Sequence, residues 1–164
     1  MTEVVNVVLA GLGGQGVIKA SDILADAALR AGLDVKKAEI HGMSQRGGSV
    51  TSDVRFGTKV LSPMVPRGEA DFLVVLAASE VEVNRAVLRP GGILLAPDLI
   101  PEAHLPNKRS LNVALLGALS QYLDLPVEVV LEAVKAALPE KLYAVNSAAF
   151  QLGRKLAAAQ GTIS

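Results

Sequence analysis

Cysteine is absent from the 164 residues, so the chain cannot build a disulfide scaffold, a cysteine nucleophile, or a thiolate-held zinc or iron–sulfur cluster. Tryptophan is absent too, and aromatic residues make up 3%, too few for a surface that stacks on nucleic-acid bases. The 16 basic residues are matched by 16 acidic ones, and no basic run exceeds Lys36-Lys37 or Lys108-Arg109. A footprint for nucleic acid or an anionic membrane is therefore missing. No basic leader precedes the first apolar run, which breaks at Gly11 and is too short to span a bilayer, so a cytoplasmic protein is expected. The catalytic signatures are equally sparse. Ser44, Ser49 and Thr51 carry hydroxyls, but no GxSxG elbow surrounds them. His41 and His104 are the only imidazoles, without HxxxH or paired-acid spacing, which argues against a catalytic metal site.

The apolar fraction is 51%, enough for one sizeable core and a single domain over residues 1–164. The chain is organised around Gly11 to Gly16, GLGGQG, which follows the apolar run Val4 to Ala10 and precedes an Ala/Leu-rich segment. An apolar strand, a glycine turn and a helical period in that order describe a phosphate-cradling strand–turn–helix unit. Gly11, Gly13, Gly14, Gln15 and Gly16 are therefore candidate ligand-binding residues. The opening apolar run suits a parallel strand covered on both faces. Val17, Ile18, Leu24, Ala28 and Leu29 keep helical spacing up to Gly32, and Val35 to Ile40 returns to the sheet as a βαβ unit. Glu39 ends that strand about where a dinucleotide-binding fold places its ribose-binding acid.

Ser49 to Phe56 alternates with a period of two, and Gly57-Thr58 is expected to close a hairpin into Lys59 to Leu61. Asp71 to Ala77 is another apolar strand. Ser79 to Leu88 reads as a helix with a Ser79/Glu82 capping box, ended by Arg89-Pro90-Gly91-Gly92, and Ile93 to Ala96 as a short buried strand. Glu80 and Glu82, two apart on that helix, are expected at the surface. Pro97 to Arg109 reads as a loop over the C-terminal strand ends. Helices are expected at Leu111 to Leu123, Pro126 to Leu138 and Leu142 to Ala159. The expected fold class is α/β, a Rossmann-like three-layer domain with a mainly parallel sheet, a hairpin insert and a helical C-terminus.

Between the second strand and the alternating one lies HGMSQRGGS, His41 to Ser49. A simple fold needs only a short turn there. Arg46, always charged and followed by Gly47, Gly48 and Ser49, makes a site for a phosphate, a carboxylate or a partner's acidic side chain.

The stretches VVLAGLGGQGV and EIHGMSQRGGSVTSDVRFG, with the spacing between them, resemble the gamma-type domain of the 2-oxoacid:ferredoxin oxidoreductases from about Val4 to the last helix. His41 to Gln45 looks most like the beta subunits of the indolepyruvate branch. The resemblance implies an enzyme that decarboxylates a 2-oxo acid on thiamine diphosphate, passes electrons through 4Fe-4S clusters to ferredoxin and releases an acyl-CoA. It also implies that this chain, with no cysteine and no Gly-Asp-Gly segment for diphosphate and magnesium, is the non-catalytic subunit docked on a larger one that holds those groups. Its own part would be a CoA or nucleotide-phosphate contact at Gly11 to Gly16 and Arg46 to Ser49, or completion of the partner's site. Ser79 stands where relatives often carry an acid. The alternative is an independent NAD(P)- or flavin-binding protein using Gly11, Gly13, Gly16 and Glu39. Whether the isolated chain forms a homodimer stays open.

Overall fold

The computed structural model describes residues 3–41 and 48–161, so the expectations for Gly42, Met43, Ser44, Gln45, Arg46 and Gly47 lie outside the described residues. Five strands form one sheet in the order β2-β3-β1-β4-β5: β1 Val5–Leu12, β2 Asp34–His41, β3 Ser49–Gly57, β4 Ala70–Val75 and β5 Leu88–Leu95. β1, β4 and β5 are parallel, while β3 pairs antiparallel with both β1 and β2. Four strands thus share one direction and β3 runs against them. The α/β fold with a mainly parallel sheet and a helical C-terminus is as expected.

The antiparallel element arises differently from the sequence expectation. Residues 58–61 form no strand, so Gly57-Thr58 closes no hairpin. β3 instead slots between β1 and β2, with Val7 opposite Val54 and Lys37 opposite Val54 in turn. Two strands already flank its hydrogen-bonding edges, which leaves residues 59–61 nothing to pair with. β5 also begins at Leu88 rather than Ile93 and takes in Pro90, Gly91 and Gly92. Proline is tolerated there because β5 is an edge strand, and the register shifts between Ala70 and Phe72 accommodate the irregularity.

The two sheet faces are covered unequally. Val7, Leu9, Val54 and Val74 point into the main core, beneath α1 (Val17–Arg30), α3 (Leu111–Ser120), α4 (Val127–Ala137) and α5 (Tyr143–Gly161). Each fully buried Leu or Val contributes about 1.5–3 kcal/mol relative to exposure. α1 buries Val17, Ala20, Ile23, Leu24, Ala27 and Ala28 at helical spacing, while Leu29, expected on the same stripe, is 58% exposed. α3 is buried on nearly every side, which follows from a sequence, LNVALLGALS, with almost no polar face. The other face carries Val8, Ala10, Leu73 and Val75 under Val65, Val81 and Val87. Among the described residues its one α-helix is α2 (Val81–Asn84), a single turn flanked by 3-10 turns at Ala78–Glu80 and Arg85–Val87. Among the described residues, no helix is long and apolar enough to cross a membrane.

The helix expected at Ser79 to Leu88 is thus broken into short turns, and its capping box does not form. Ser79 lies inside the first 3-10 turn, and no side chain caps α2. Glu82 instead binds Arg85 through both carboxylate oxygens, at 2.9 to 3.2 Å.

Candidate functional site

The glycine turn sits where β1 ends and α1 begins, at the carboxyl end of the parallel strands. Gly14 and Gly16 have φ of +88° and +86°, a region that side-chain-bearing residues rarely adopt. Gly16 is the N-cap of α1 and supplies no side-chain cap, and no acid lies in the first helical turn. The positive end of the α1 dipole is therefore not neutralised by the chain itself.

Gln15 braces the turn. Its Oε1 accepts from the Leu12 N–H at 2.7 Å and its Nε2 donates to the Leu76 carbonyl at 3.2 Å, joining the ends of β1 and β4. Gly11 carries no side chain because a Cβ there would stand 2.8 Å from Val17 Cγ2 and 2.9 Å from Gln15 Oε1. Gly13 donates its N–H to the Gly48 carbonyl at 2.9 Å, and Leu12 pairs with Ser49. The two glycine-rich segments singled out in the sequence thus meet at Gly13, Gly48 and Ser49. Arg46 and Gly47 lie outside the described residues.

A pocket of about 480 Å³ opens beside the turn. It is lined by Gly14, Gly16 and Asn112 and by three cationic side chains, Lys19, Lys108 and Arg109, with no carboxylate. Lys19 Nζ donates to the Ala137 carbonyl at 3.4 Å, and Lys108 Nζ lies 3.2 Å from Glu102 Oε1 with both side chains exposed. Arg109 makes no side-chain ion pair among the described residues. Asn112 holds the pocket's back wall to the turn, its Nδ2 donating to the Gly16 carbonyl at 3.3 Å. A dipole end, bared glycine backbone and three cationic side chains, of which Lys108 also pairs with Glu102, are the chemistry that suits a phosphate or another anion. The sequence showed Lys108-Arg109 as a basic pair in a loop, but nothing local could place it against a turn near residue 14.

The acids behave differently from expectation. Glu39 lies on β2, and β3 separates it from β1. Its Oε2 is 2.6 Å from Lys37 Nζ, which also binds Asp22. Burial alone would lower the lysine's pKa, but the hydrogen bonds it donates to Asp22 and Glu39, with their negative charges, outweigh burial and raise it. An acid so paired, one strand removed from the turn, does not match the ribose-binding carboxylate of a dinucleotide site. Glu80, expected at the surface, is 5% exposed, and its Oε1 has no hydrogen-bond partner. It lies in the 3-10 turn at Ala78–Glu80, not on the regular helix that the surface expectation assumed. His104 is exposed on the proline-rich loop, and no group of three potential metal ligands gathers among the described residues.

Residues 6–106 match the family described as pyruvate ferredoxin/flavodoxin oxidoreductase. The chain is 36% identical over 196 aligned positions to indolepyruvate oxidoreductase subunit IorB of Thermococcus kodakarensis, covering 93% of this chain and 95% of the relative. The gamma subunit of a keto/oxoacid ferredoxin oxidoreductase from Geobacter sulfurreducens superposes with a TM-score of 0.73 at 26% identity, over 94% of this chain and 99% of that one. A 2-oxoglutarate:ferredoxin oxidoreductase from Magnetococcus marinus, solved with 2-oxoglutarate, coenzyme A and succinyl-CoA, shares the fold with a TM-score of 0.82 at 24% identity. This chain covers 97% of its own length but only 32% of that larger one.

Proposed function

The chain belongs to the pyruvate ferredoxin/flavodoxin oxidoreductase family, and from that membership we propose that it is the gamma-type subunit of a 2-oxoacid:ferredoxin oxidoreductase acting on an arylpyruvate such as indolepyruvate. The oxo acid is oxidatively decarboxylated to its acyl-CoA while ferredoxin is reduced. A larger partner subunit holds the thiamine diphosphate, magnesium and 4Fe-4S clusters that carry out this chemistry. This chain, without cysteine, offers no ligand set for a cluster.

Its own task is to hold CoA against that partner. The observation that carries this reading is the convergence of Lys19, Lys108 and Arg109 on an acid-free glycine turn at the N-terminus of α1. A diphosphate there meets fixed backbone donors and three positive charges. Gln15 keeps the turn open by joining Leu12 to Leu76, and Asn112 fixes the Gly16 carbonyl. Arg46, in the segment joined to the turn through Gly48, would add a further cation. A CoA so anchored has its thiol arm free to reach a centre on the partner.

Calorimetric titration of the purified chain tests this, with CoA as the probe and NADH and FMN beside it. CoA binding weakened by Lys108→Ala, Arg109→Ala and Arg46→Ala is expected. Binding of NADH or FMN in preference to CoA would instead make the chain an independent nucleotide-binding protein. The chain alone should be inactive and should restore activity to the thiamine- and cluster-containing partner. Full activity of that partner without it would overturn the proposal.

A further inference from the structure

Beyond the glycine-turn pocket, Arg109 and Asn112 also line a second hollow of about 290 Å³, set between the start of α3 and the start of α5. No carboxylate lines it, and Val113, Leu138, Leu142 and Val145 give it apolar walls. Asn146, on the first turns of α5 and 7% exposed, lines it as well. The carboxamide of Asn146 has no hydrogen-bond partner among the described residues. Its neighbours are engaged: Asn112 with Gly16 and Val113, Asn107 with the Arg109 N–H, and the Ser110 hydroxyl with the Asn107 carbonyl. The residue as a whole is buried, yet its amide is not sealed in the core, so both ends are open to a ligand in the hollow.

A carboxamide presents one acceptor and one donor side by side, the complement of the N6 donor and N7 acceptor on adenine. Apolar walls suit the rings, and Arg109 lines both this hollow and the glycine-turn pocket. We infer that the hollow is the base site for an adenine nucleotide whose phosphates lie against Arg109, Lys108 and the glycine turn, with Asn146 reading the adenine edge. This rests on the phosphate reading of the turn and names the class of ligand that the turn takes. The neighbouring hollow under the proline-rich loop is a poorer candidate. Asp98 and Glu102 line it, which repels a phosphorylated ligand.

The test is calorimetry on the full chain with ADP, IDP and pyrophosphate. IDP replaces the N6 donor with an oxygen, so two acceptors face the amide. ADP should bind about tenfold or more tightly than IDP, the discrimination of one good bidentate pair. Asn146→Ala should bring ADP down to the level of IDP, leave pyrophosphate binding unchanged, and unfold at the same or a higher temperature. Asn146→Asp, of the same size, should also lose the preference for ADP, because a carboxylate offers N7 no donor. Arg109→Ala should weaken ADP and pyrophosphate together. Equal binding of ADP and IDP by the wild type, or a preference that survives Asn146→Ala, would overturn the base site while leaving the anion pocket standing. Failure of pyrophosphate and both nucleotides to bind would overturn the pocket as well.

Discussion

Gly117 of α3 packs so closely on Phe150 of α5 that a Cβ at Gly117 would stand 2.0 Å from the Phe150 carbonyl oxygen. The relationship is reciprocal one turn away, where a Cβ at Gly153 would stand 1.7 Å from the Ala114 carbonyl oxygen. The two helices cross with backbone against backbone. α3 also carries Asn112 and follows directly on Lys108 and Arg109, so the depth of this crossing sets where those groups meet the glycine turn.

Gly117→Ala and Gly153→Ala should therefore each destabilise the fold by about 3 kcal/mol or more, the upper range for overpacking, because rigid backbone rather than a side-chain tip must give way. Urea denaturation measures this. A midpoint unchanged from the wild type in either variant would show that the helices separate at no cost.

Gly14 and Gly16 have nearly the same positive φ but different surroundings. A Cβ at Gly14 meets nothing within 4 Å, whereas one at Gly16 would stand 2.5 Å from Asn112 Nδ2. Gly14→Ala should cost only the backbone strain, about 1–2 kcal/mol. Gly16→Ala should cost more, and adding Asn112→Ala should recover part of the excess. Equal losses in the two single variants, with no recovery in the double one, would refute the contact with Asn112 as the cause.

Lys19→Ala, Lys108→Ala and Arg109→Ala remove charges at the surface of the pocket, and each should leave stability within about 0.5 kcal/mol of the wild type. Each should weaken CoA by about 10-fold or more, the value of a charge-assisted hydrogen bond. Raising ionic strength should narrow the differences, since the cations are partly exposed and screened. Thermal unfolding and titration at two salt concentrations would check both statements. A variant that binds CoA as tightly as the wild type removes that cation from the site.

What could be read along the chain was local. The β1, glycine turn and α1 succession follows from VVLAGLGGQGV, and the C-terminal helices fall within a few residues of their apolar periods. The insertion of β3 between β1 and β2 was not legible, because strand order depends on which edges are free rather than on the pattern within a strand. The proposed anion pocket was half legible. Its glycines announce themselves, but Lys19, Lys108 and Arg109 come together only through the packing of α3 on α1, recorded in the Asn112 to Gly16 bond across 96 residues. Glu80 was misread because an i,i+2 argument assumes a regular helix, and residues 78–87 are a chain of short turns.

Asp53 lies on the thinly covered face of the sheet, 7% exposed, with Oδ2 accepting from the Val65 N–H at 2.9 Å. Burial raises its pKa, and the Val65 bond and the charge of Arg55 only partly oppose this, so the folded carboxyl holds its proton above the ordinary value of 3.8. The folded state then binds more protons than the unfolded one, and stability falls as pH rises. Asp53's favourable contribution is complete below the unfolded value and is lost as pH climbs through the folded one. Asp34 and Glu82, whose pKa values are lowered, slope the other way, but they are common to wild type and variant. Asp53→Asn can keep the bond from Val65 while removing the titration. From pH about 3 to about 6, the unfolding temperature of Asp53→Asn should rise relative to wild type. A gap that stays constant or shrinks across that window would mean that the Val65 and Arg55 interactions, not burial, govern this carboxyl.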